Sequence, residues 1–303
     1  MRTLILFIFL LFLAEMGLAR EYRIVSSDSV GLFATVRGEG VPVLYLHGGP
    51  GSGSYWLEVF MGDVLEREFQ MVYFDQRGVG RSDSPENGDF SLDRMVQDFE
   101  EVRNALGFDE WLLMGHSFGG ILMTGYAKRH PEVIRGMIMV NVSLDMQESF
   151  HSSWCPKASG FLGISEPLPC MDPSVPITER WMALIEKLNE EGLMWKMGYG
   201  SLEDLERMNE TYQHIENWNN DFGNAFMEID EYWKSHKRDL QSLTMPVLLY
   251  HGTRDWMVGP DHHVNIDFPE MMLWEAKTSH MPFLENRDDL MEAIRSFRGR
   301  YGF

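Results

Sequence analysis

Four short apolar runs between residues 41 and 143 constrain the fold more than any other feature of the chain. They read VPVLYLHGG, FQMVYFDQRG, EWLLMGHS and IRGMIMVNVS, and segments with helical periodicity separate them. A continuous apolar run of this length is typical of a strand that is covered on both faces, as in a parallel sheet. Strands that alternate with helices at this spacing predict an α/β fold.

The α/β rhythm stops near residue 144 and resumes near residue 241. The segment between these points contains both cysteines and many aromatic residues, and it includes helical patterns such as ITERWMALIEKLNEEGLMWKM. We therefore predict a core formed by residues 20–143 and 241–303, interrupted by a helical cap over residues 144–240. The core is expected to be a mostly parallel sheet flanked by helices.

The first residues have the pattern of a secretory signal peptide. Arg2 precedes an apolar run of 11 residues, Leu4 to Ala14, and small residues follow at Gly17 and Ala19. The run is shorter than the roughly 20 apolar residues that a membrane-spanning helix needs. We predict that residues 1–19 are removed and that the mature protein is secreted or periplasmic, with no stable membrane insertion. An uncleaved membrane anchor is the alternative.

The two cysteines, Cys155 and Cys170, lie 15 residues apart in the predicted cap. Export to an oxidising compartment favours a disulfide between them. Such a bridge would stabilise the fold by about 3 kcal/mol, because it restricts the unfolded chain. The alternative is a pair of separate buried thiols.

Gly115, Ser117 and Gly119 form a Gly-x-Ser-x-Gly pattern in the segment LLMGHSFGGIL. The pattern follows a predicted strand and precedes an apolar helix, which is the setting of a nucleophile elbow. In such an elbow a strained turn exposes the serine, and the glycines let neighbouring backbone pass close by. A serine that only caps the helix is the alternative, but it would not require the flanking glycines.

A nucleophilic serine needs a base, and the base needs an acid that orients it. Asp255 follows the strand in LLYHGTRD, and His280 follows the next strand in AKTSHMPF. The order Ser117, Asp255, His280 is the order expected after a nucleophile elbow of this kind. We therefore predict these three residues as the catalytic triad and give the other histidines structural or surface roles.

A second glycine-rich loop, HGGPG, covers residues 47–51 directly after a buried strand. Acyl transfer requires backbone N–H groups that are aimed at the developing oxyanion. We predict that Gly49 and Phe118 supply these N–H groups, with Gly48 as the nearest rival. His47 is expected to brace the loop rather than to act as a second base.

The motif FDQRGVGRS closes the next predicted strand. Asp75 and Arg77 are expected to form a charge-assisted pair that locks this loop, and the glycines between permit the turn. We interpret the motif as scaffold beside the site.

Charge and motif content exclude several classes of partner. The formal net charge of −20 argues against a nucleic-acid partner and against docking on anionic lipid. The sequence has no Cys/His cluster with metal-ligand spacing, no phosphate-binding loop and no dinucleotide fingerprint. The reaction is therefore expected to use no metal and no cofactor, and the partner is expected to be a small molecule or a short peptide. No pattern predicts an oligomeric state.

HGGPG, DQRG-x-GRS and the serine elbow together resemble the proline iminopeptidase family of the α/β-hydrolase superfamily. VQDFEEVRNALG, YAKRHPEVI and SHMPFLENRDDL also match weaker patterns of that family, so the resemblance covers the core on both sides of the cap. It implies an α/β-hydrolase fold and a serine peptidase that uses Ser117, Asp255 and His280. Such an enzyme releases an N-terminal residue, often proline, from short peptides or amide analogues.

Two positions depart from the family pattern. Phe118 stands where family members commonly carry tryptophan, and Trp256 stands where many carry an acidic residue that helps to bind the substrate amine. We expect Trp256 and Gly48 to contact substrate. The resemblance also implies that amine-binding glutamates come from the cap, where the candidates are Glu206, Glu210, Glu216 and Glu228.

The leading prediction is an exported, iminopeptidase-like aminopeptidase that acts through an acyl-enzyme. The alternative is a carboxylesterase or lactonase that acts on small apolar acyl esters with the same triad, because Trp256 removes one partner of a substrate ammonium. A receptor or pseudoenzyme that retains the fold is a third hypothesis, which the intact triad disfavours.

Overall fold

The computed structural model describes residues 19–303. The predicted signal peptide, residues 1–19, lies outside the described residues except for its last position, so its presence and its cleavage stay predictions. Among the described residues, no helix is both long and apolar enough to cross a membrane.

Eight strands form one sheet at the centre of the molecule: β1 (Arg20–Val25), β2 (Gly31–Arg37), β3 (Pro42–Leu46), β4 (Gln70–Asp75), β5 (Trp111–His116), β6 (Ile134–Val140), β7 (Val247–Gly252) and β8 (Met271–Ala276). Their order across the sheet is β1-β2-β4-β3-β5-β6-β7-β8. β2 pairs antiparallel with β1 and with β4, and the other neighbouring pairs are parallel. The prediction of a mostly parallel sheet is confirmed.

Helices cover both faces of the sheet. The α-helices are α1 (Tyr55–Leu65), α2 (Leu92–Leu106), α3 (Gly119–Arg129), α4 (Met146–Ser149), α5 (Cys155–Phe161), α6 (Ile177–Glu190), α7 (Trp195–Gly198), α8 (Leu202–Tyr212), α9 (Asp221–Ala225), α10 (Pro282–Glu285) and α11 (Arg287–Tyr301). Along β3, Val43 and Tyr45 share a buried cluster with α1 and α11, whereas Leu44 and Leu46 share another with α2 and α3. Because both faces are buried, the strand is apolar at every position.

Helix α2 begins and ends where its capping residues predict. The Ser91 hydroxyl accepts a hydrogen bond from the backbone N–H of Arg94 at 3.3 Å. Gly107 follows the last turn with φ of 75°, the left-handed conformation that ends many helices. The local pattern alone therefore determines both ends of this helix.

The predicted cap segment, residues 144–240, contains α4 to α9 and a π-helical turn at Phe150–Trp154. Only α6 reaches 14 residues, and most of the other cap helices are much shorter. A disulfide joins Cys155 to Cys170, which confirms the predicted bridge. Aromatic rings fill the interior of the cap, and Trp181 lies 5.3 Å from Trp154 and 5.7 Å from Trp233 between ring centroids.

The order of the central strands brings the functional loops together. Chain connections leave β3 toward β4 on one side and reach β5 on the other, so β3 and β5 flank the point where the strand order reverses. Ligands of open α/β sheets bind at the carboxyl ends of the strands near such a point. The HGGPG loop follows β3, the serine elbow follows β5, and the loops with Asp255 and His280 follow β7 and β8.

Candidate active site

Ser117 lies in a tight turn between β5 and α3 and has a φ of 55°. This left-handed conformation is costly for a residue with a side chain, and it is the strained geometry of a nucleophile elbow. The Ser117 N–H donates to the Asn141 carbonyl at 3.1 Å, which holds the turn against β6. A Cβ added to Gly119 would lie 2.1 Å from the Leu46 carbonyl oxygen, so no side chain fits there. The segment therefore has the predicted strand–turn–helix geometry.

Asp255 and His280 form a buried pair at the same edge of the sheet. His280 Nδ1 lies 2.9 Å from Asp255 Oδ2, and the two residues are 5% and 2% exposed. The other carboxylate oxygen, Oδ1, accepts the N–H groups of Met257 and Val258 at 3.0 Å each. Because Asp255 accepts from Nδ1–H, the imidazole presents Nε2 as its proton acceptor.

Asn141 and His116 connect the elbow to the loop that carries His280, and neither role was predicted from the sequence. Asn141 Nδ2 donates to the His280 carbonyl at 3.1 Å, while the Asn141 carbonyl holds Ser117. His116 Nε2 donates to the same His280 carbonyl at 2.9 Å, and the two rings lie 4.4 Å apart. Burial, followed by the charge of His280, holds the pKa of His116 well below its usual range, so this ring is a neutral donor.

Asn141 is a polar residue directly after the buried strand IRGMIMV, and this position is the sequence signal that could have indicated its role. Asn141 has a φ of 47°, so it forms a second strained position beside Ser117. Its side-chain oxygen also accepts the Gly252 N–H at 2.7 Å. Asn141 thereby joins the loops that follow β5, β7 and β8.

Within residues 19–303 no hydrogen bond joins Ser117 Oγ to His280. The hydroxyl is half-buried, so it remains accessible. In free enzymes the hydrogen bond between nucleophile and base is often long and tightens only when substrate binds. Asn141 thus links the Ser117 turn to the loop that carries His280, and no direct hydrogen bond joins the two residues within the described part of the chain.

The HGGPG loop lies directly against the elbow. A Cβ on Gly48 would lie 2.7 Å from Ser117 Cβ and 3.4 Å from the Phe118 backbone nitrogen. Among the described residues, neither the N–H of Gly49 nor that of Phe118 donates a hydrogen bond, and the same holds for Gly48. These three N–H groups thus have no hydrogen-bond partner within residues 19–303, as the predicted oxyanion donors require.

His47 braces the HGGPG loop, as expected. Its ring is fully buried; Nδ1 donates to the Gly48 carbonyl at 3.0 Å, and Nε2 accepts the Gln76 N–H at 3.2 Å. Burial lowers the pKa of His47 to about 4, so the ring is neutral at pH 7. With both nitrogens engaged, His47 fixes the start of the loop against β4.

The expected pair between Asp75 and Arg77 is wrong. Asp75 instead accepts from Arg81 Nε and from the Ser54 hydroxyl, both at 2.7 Å. Arg77 instead donates to Asp98 on α2 at 2.6 Å. The chain turns sharply after β4, so the two side chains point to different neighbours. Asp75 therefore anchors Ser54, just beyond the HGGPG loop.

Trp256 lies between the core and the cap. Its ring is half-buried, and the ammonium of Lys157 lies 3.7 Å from the centroid. The Ser153 hydroxyl donates to the Trp256 carbonyl at 2.9 Å and ties this turn to the cap. Trp256, Lys157 and Asp261 line a cavity of about 320 Å³ on this boundary. The residue after Asp255 thus contacts a lysine ammonium and supplies no carboxylate.

Phe118 supplies a free N–H, but its side chain is buried in the cap. The ring is 1% exposed and packs edge-on against Phe222, Phe226 and Tyr232, with centroids 5.0 to 5.9 Å away. The residue after the nucleophile therefore fixes the cap to the elbow. The four candidate amine-binding glutamates are all exposed: Glu206, Glu210, Glu216 and Glu228.

Comparison with known proteins agrees with this geometry. Residues 41–157 match the model of the α/β-hydrolase fold family. The proline iminopeptidase of Saccharolobus solfataricus is 28% identical over 281 residues, which cover 86% of each chain. The proline iminopeptidase of Neisseria gonorrhoeae is 38% identical over 128 residues, which cover 40% of this chain and 38% of that one. The second alignment thus spans less than half of either protein.

Solved structures show the same fold along most of the chain. A proline iminopeptidase-related protein from Thermus thermophilus has a TM-score of 0.75 at 22% identity and covers 93% of this chain and 97% of its own. An esterase from Rhodococcus has a TM-score of 0.68 at 23% identity and covers 94% of this chain and 99% of its own. The chain has the α/β-hydrolase fold and is a hydrolase, and it is similar to the proline iminopeptidases over most of its length.

Proposed function

We propose that this protein is a serine hydrolase that forms an acyl-enzyme, and specifically an aminopeptidase that releases an N-terminal residue from short peptides or amides. The observation that carries the proposal is a strained Ser117 turn that Asn141 links to the loop of the buried Asp255–His280 pair, next to backbone N–H groups without a partner among the described residues. These are the parts that acyl transfer requires: a nucleophile, an oriented base and an oxyanion site.

In the proposed reaction Ser117 Oγ attacks the substrate carbonyl carbon while its proton passes to His280 Nε2. The carbonyl oxygen becomes an oxyanion that accepts the N–H groups of Gly49 and Phe118. His280, held by Asp255, then gives the proton to the leaving amine as the C–N bond breaks. Water attacks the resulting acyl-enzyme by the same route, which releases the acyl product and restores the Ser117 hydroxyl.

The choice of a peptidase rests on the relatives. The enzymes from Saccharolobus solfataricus and Neisseria gonorrhoeae are both named proline iminopeptidases, and the first alignment covers most of both chains. A free N-terminal amine distinguishes the substrates of such enzymes from simple esters. We therefore propose a terminal residue with a free amine, proline included, as the acyl group.

A second function, hydrolysis of small carboxylic esters or lactones, is favoured by the charges near the cap. The residue after Asp255 is Trp256, whose ring holds the ammonium of Lys157. The candidate cap glutamates are exposed, so none offers a buried carboxylate. Burying a substrate ammonium without a partner costs several kcal/mol, whereas an uncharged acyl group has no such requirement.

Export is also a proposal. The apolar run after Arg2 supports it, and so does the disulfide between Cys155 and Cys170, since such bonds persist in oxidising compartments. N-terminal sequencing of protein secreted by the native host would test it. A first residue near Arg20 is expected, and an intact Met1 would contradict cleavage.

One assay separates the candidate functions. Wild type and Ser117→Ala are compared on prolyl and other aminoacyl anilides and on short-chain acyl esters. We expect anilide turnover by the wild type and none by the variant. Turnover of esters but of no anilide with a free amine would replace the aminopeptidase with the esterase. A folded wild type that a serine-directed phosphonate does not label would contradict both.

A further inference from the structure

A short piece of the cap lies on the HGGPG loop. We call residues 218–222 the clamp segment. The Trp218 indole N–H donates to the Gly51 carbonyl at 3.3 Å. A Cβ on Gly53 would lie 2.4 Å from the Trp218 ring, and Gly53 has a φ of 65°. Position 53, just beyond the loop, therefore requires glycine for two reasons: the backbone has a positive φ, and the Trp218 ring leaves no room for a side chain.

The clamp segment is fastened to the core on its other side. Gly80 and Asn219 form an isolated antiparallel bridge, with N–H to carbonyl distances of 2.8 and 3.1 Å. The Asn219 side chain donates to the Ser82 carbonyl at 2.9 Å, and the Phe222 N–H donates to the Gly78 carbonyl at 3.1 Å. These bonds fix Trp218 to the FDQRGVGRS loop, which His47 also contacts through Gln76.

The HGGPG loop is thus held from two sides. The core holds its beginning through His47 and the residue beyond its end through Ser54, which Asp75 binds. Between these anchors Gly49 and Gly51 have φ values of 110° and 104°, and such glycines have many alternatives when nothing selects one. Ser52, just beyond the loop, donates to the Gly48 carbonyl through its hydroxyl at 2.8 Å, and Trp218 adds a contact from the cap at the Gly51 carbonyl.

We propose that Trp218 is a positioning residue for the oxyanion site, an inference that rests on the proposed acyl transfer. Oxyanion donors act only when they are aimed before the reaction begins, and a misplacement of about 1 Å can cost on the order of 100-fold in rate. Trp218 holds the carbonyl two residues beyond Gly49, so it limits where the Gly49 N–H points. The cap therefore takes part in the chemical step as well as in enclosing substrate.

The test compares Trp218→Ala and Trp218→Phe with a matched control, Trp233→Phe. Trp233 is another cap tryptophan whose indole N–H donates to a backbone carbonyl, that of Met227 at 3.2 Å, and its ring packs against Trp181 and Phe226 rather than against the HGGPG loop. Each variant is assayed for kcat and KM on the substrate class that the wild type turns over. Affinity for a boronic acid, which forms a tetrahedral adduct with the serine, reports the oxyanion site directly.

We expect Trp218→Ala to lower kcat and boronate affinity together by about 10- to 100-fold, with KM changed less than about twofold. Trp218→Phe keeps an aromatic ring but removes the N–H together with the five-membered part of the indole, so a loss of several-fold is expected. The pH midpoints of the rate should stay unchanged, because the Asp255–His280 pair is not altered. Trp233→Phe should retain wild-type kcat.

Three results would overturn the proposal. One is an unchanged kcat in both folded Trp218 variants. Another is a raised KM with unchanged kcat and boronate affinity, which would make Trp218 a substrate contact. If Trp218→Ala does not fold, Trp218→Phe decides between these outcomes. A wild type that no serine-directed phosphonate labels would instead refute the proposed function, and with it this inference, before any variant is compared.

Discussion

The core and the cap position their residues by different means. In the core, Ser117, Asp255 and His280 each follow a strand of one sheet, so ladder hydrogen bonds determine where they lie. In the cap, mostly short helices are joined by packed aromatic rings and one disulfide. A sheet edge gives reproducible positions to residues that react. Side-chain packing lets the surface that selects substrate change while the chemistry is kept.

The clamp segment, residues 218–222, is an exception to this difference between core and cap. It belongs to the cap, yet it pairs with Gly80 of the core by backbone hydrogen bonds, as a strand would. Near the HGGPG loop the cap is therefore held by backbone hydrogen bonds, as the strands of the core are.

The largest expected effect concerns the core. Asp255→Asn should lower kcat by about 10⁴-fold, because the amide favours the wrong imidazole tautomer and does not stabilise the imidazolium. The kcat on the substrate that the wild type turns over measures it, and Asp267→Asn, at an exposed residue, is the control. A loss below tenfold in Asp255→Asn would show that the sheet edge does not carry the chemistry.

The next effect concerns the stability of the core beside α2, where Asp98 binds Arg77. Asp98→Asn removes the buried partner of Arg77, whose side chain is fully buried. Asp98 also binds Arg94, while Asp28 remains as a second partner of Arg77; breaking a buried ion pair of this kind costs about 3–5 kcal/mol, so the free energy of unfolding in urea should fall by about that amount. Asp93→Asn breaks the surface ion pair with Arg129 and should cost about 1 kcal/mol or less. Equal losses in the two variants would contradict the assigned difference in burial.

A smaller effect is expected in the cap. Replacing Cys155 and Cys170 by serine opens a bridge with a sequence separation of 15 and should destabilise the fold by about 3 kcal/mol. Hydrogen exchange should quicken in α5 and α6 while the strands β3 to β7 keep their protection. Uniform loss of protection across sheet and cap would show that the two regions unfold as one unit.

The last effect, which is smallest near neutral pH, tests the boundary between the regions through a pH titration. Burial lowers the pKa of His47 from 6.5 to about 4 and that of His262 from 6.5 to about 3. His262 Nε2 accepts the N–H of Leu144, where the predicted cap begins. Below pH 6.5 the unfolded chain binds protons that the folded chain does not, so stability should fall as the pH drops toward 4.

Each of these histidines should contribute about 1.4 kcal/mol per pH unit within that window. Urea unfolding titrated across the window measures the slope, and the variants His47→Asn and His262→Asn should each flatten it. A slope that neither variant changes would assign the acid sensitivity to carboxylates instead.

Local patterns were enough to predict much of the core. Ser91 and Gly107 predicted both ends of α2, and continuous apolar runs predicted the buried strands. The predicted partners Asp255 and His280 are hydrogen-bonded in the structure, although their catalytic role remains a proposal. Each of these features depends on spacing along a single segment or on the order of segments, and both are written in the sequence.

Contacts between distant segments were not predictable in this way. Arg77 selected Asp98 on α2 rather than Asp75, two residues away, because the turn after β4 directs the side chains apart. The links made by Asn141 and the contact of Trp218 with the HGGPG loop also join residues far apart in sequence. No periodicity or motif indicates such partners, since they depend on how the elements pack.

The sequence by itself determined the fold class, the serine elbow and the order of the residues proposed for catalysis, because short-range backbone preferences and buried strands dictate them. Only the tertiary structure decided what surrounds the elbow. It packed the Phe118 ring in the cap, the Lys157 ammonium over the Trp256 ring and Trp218 against the HGGPG loop. The physical reason is that the cap is held by side-chain packing over long sequence distances, and these contacts exist only after the chain has folded.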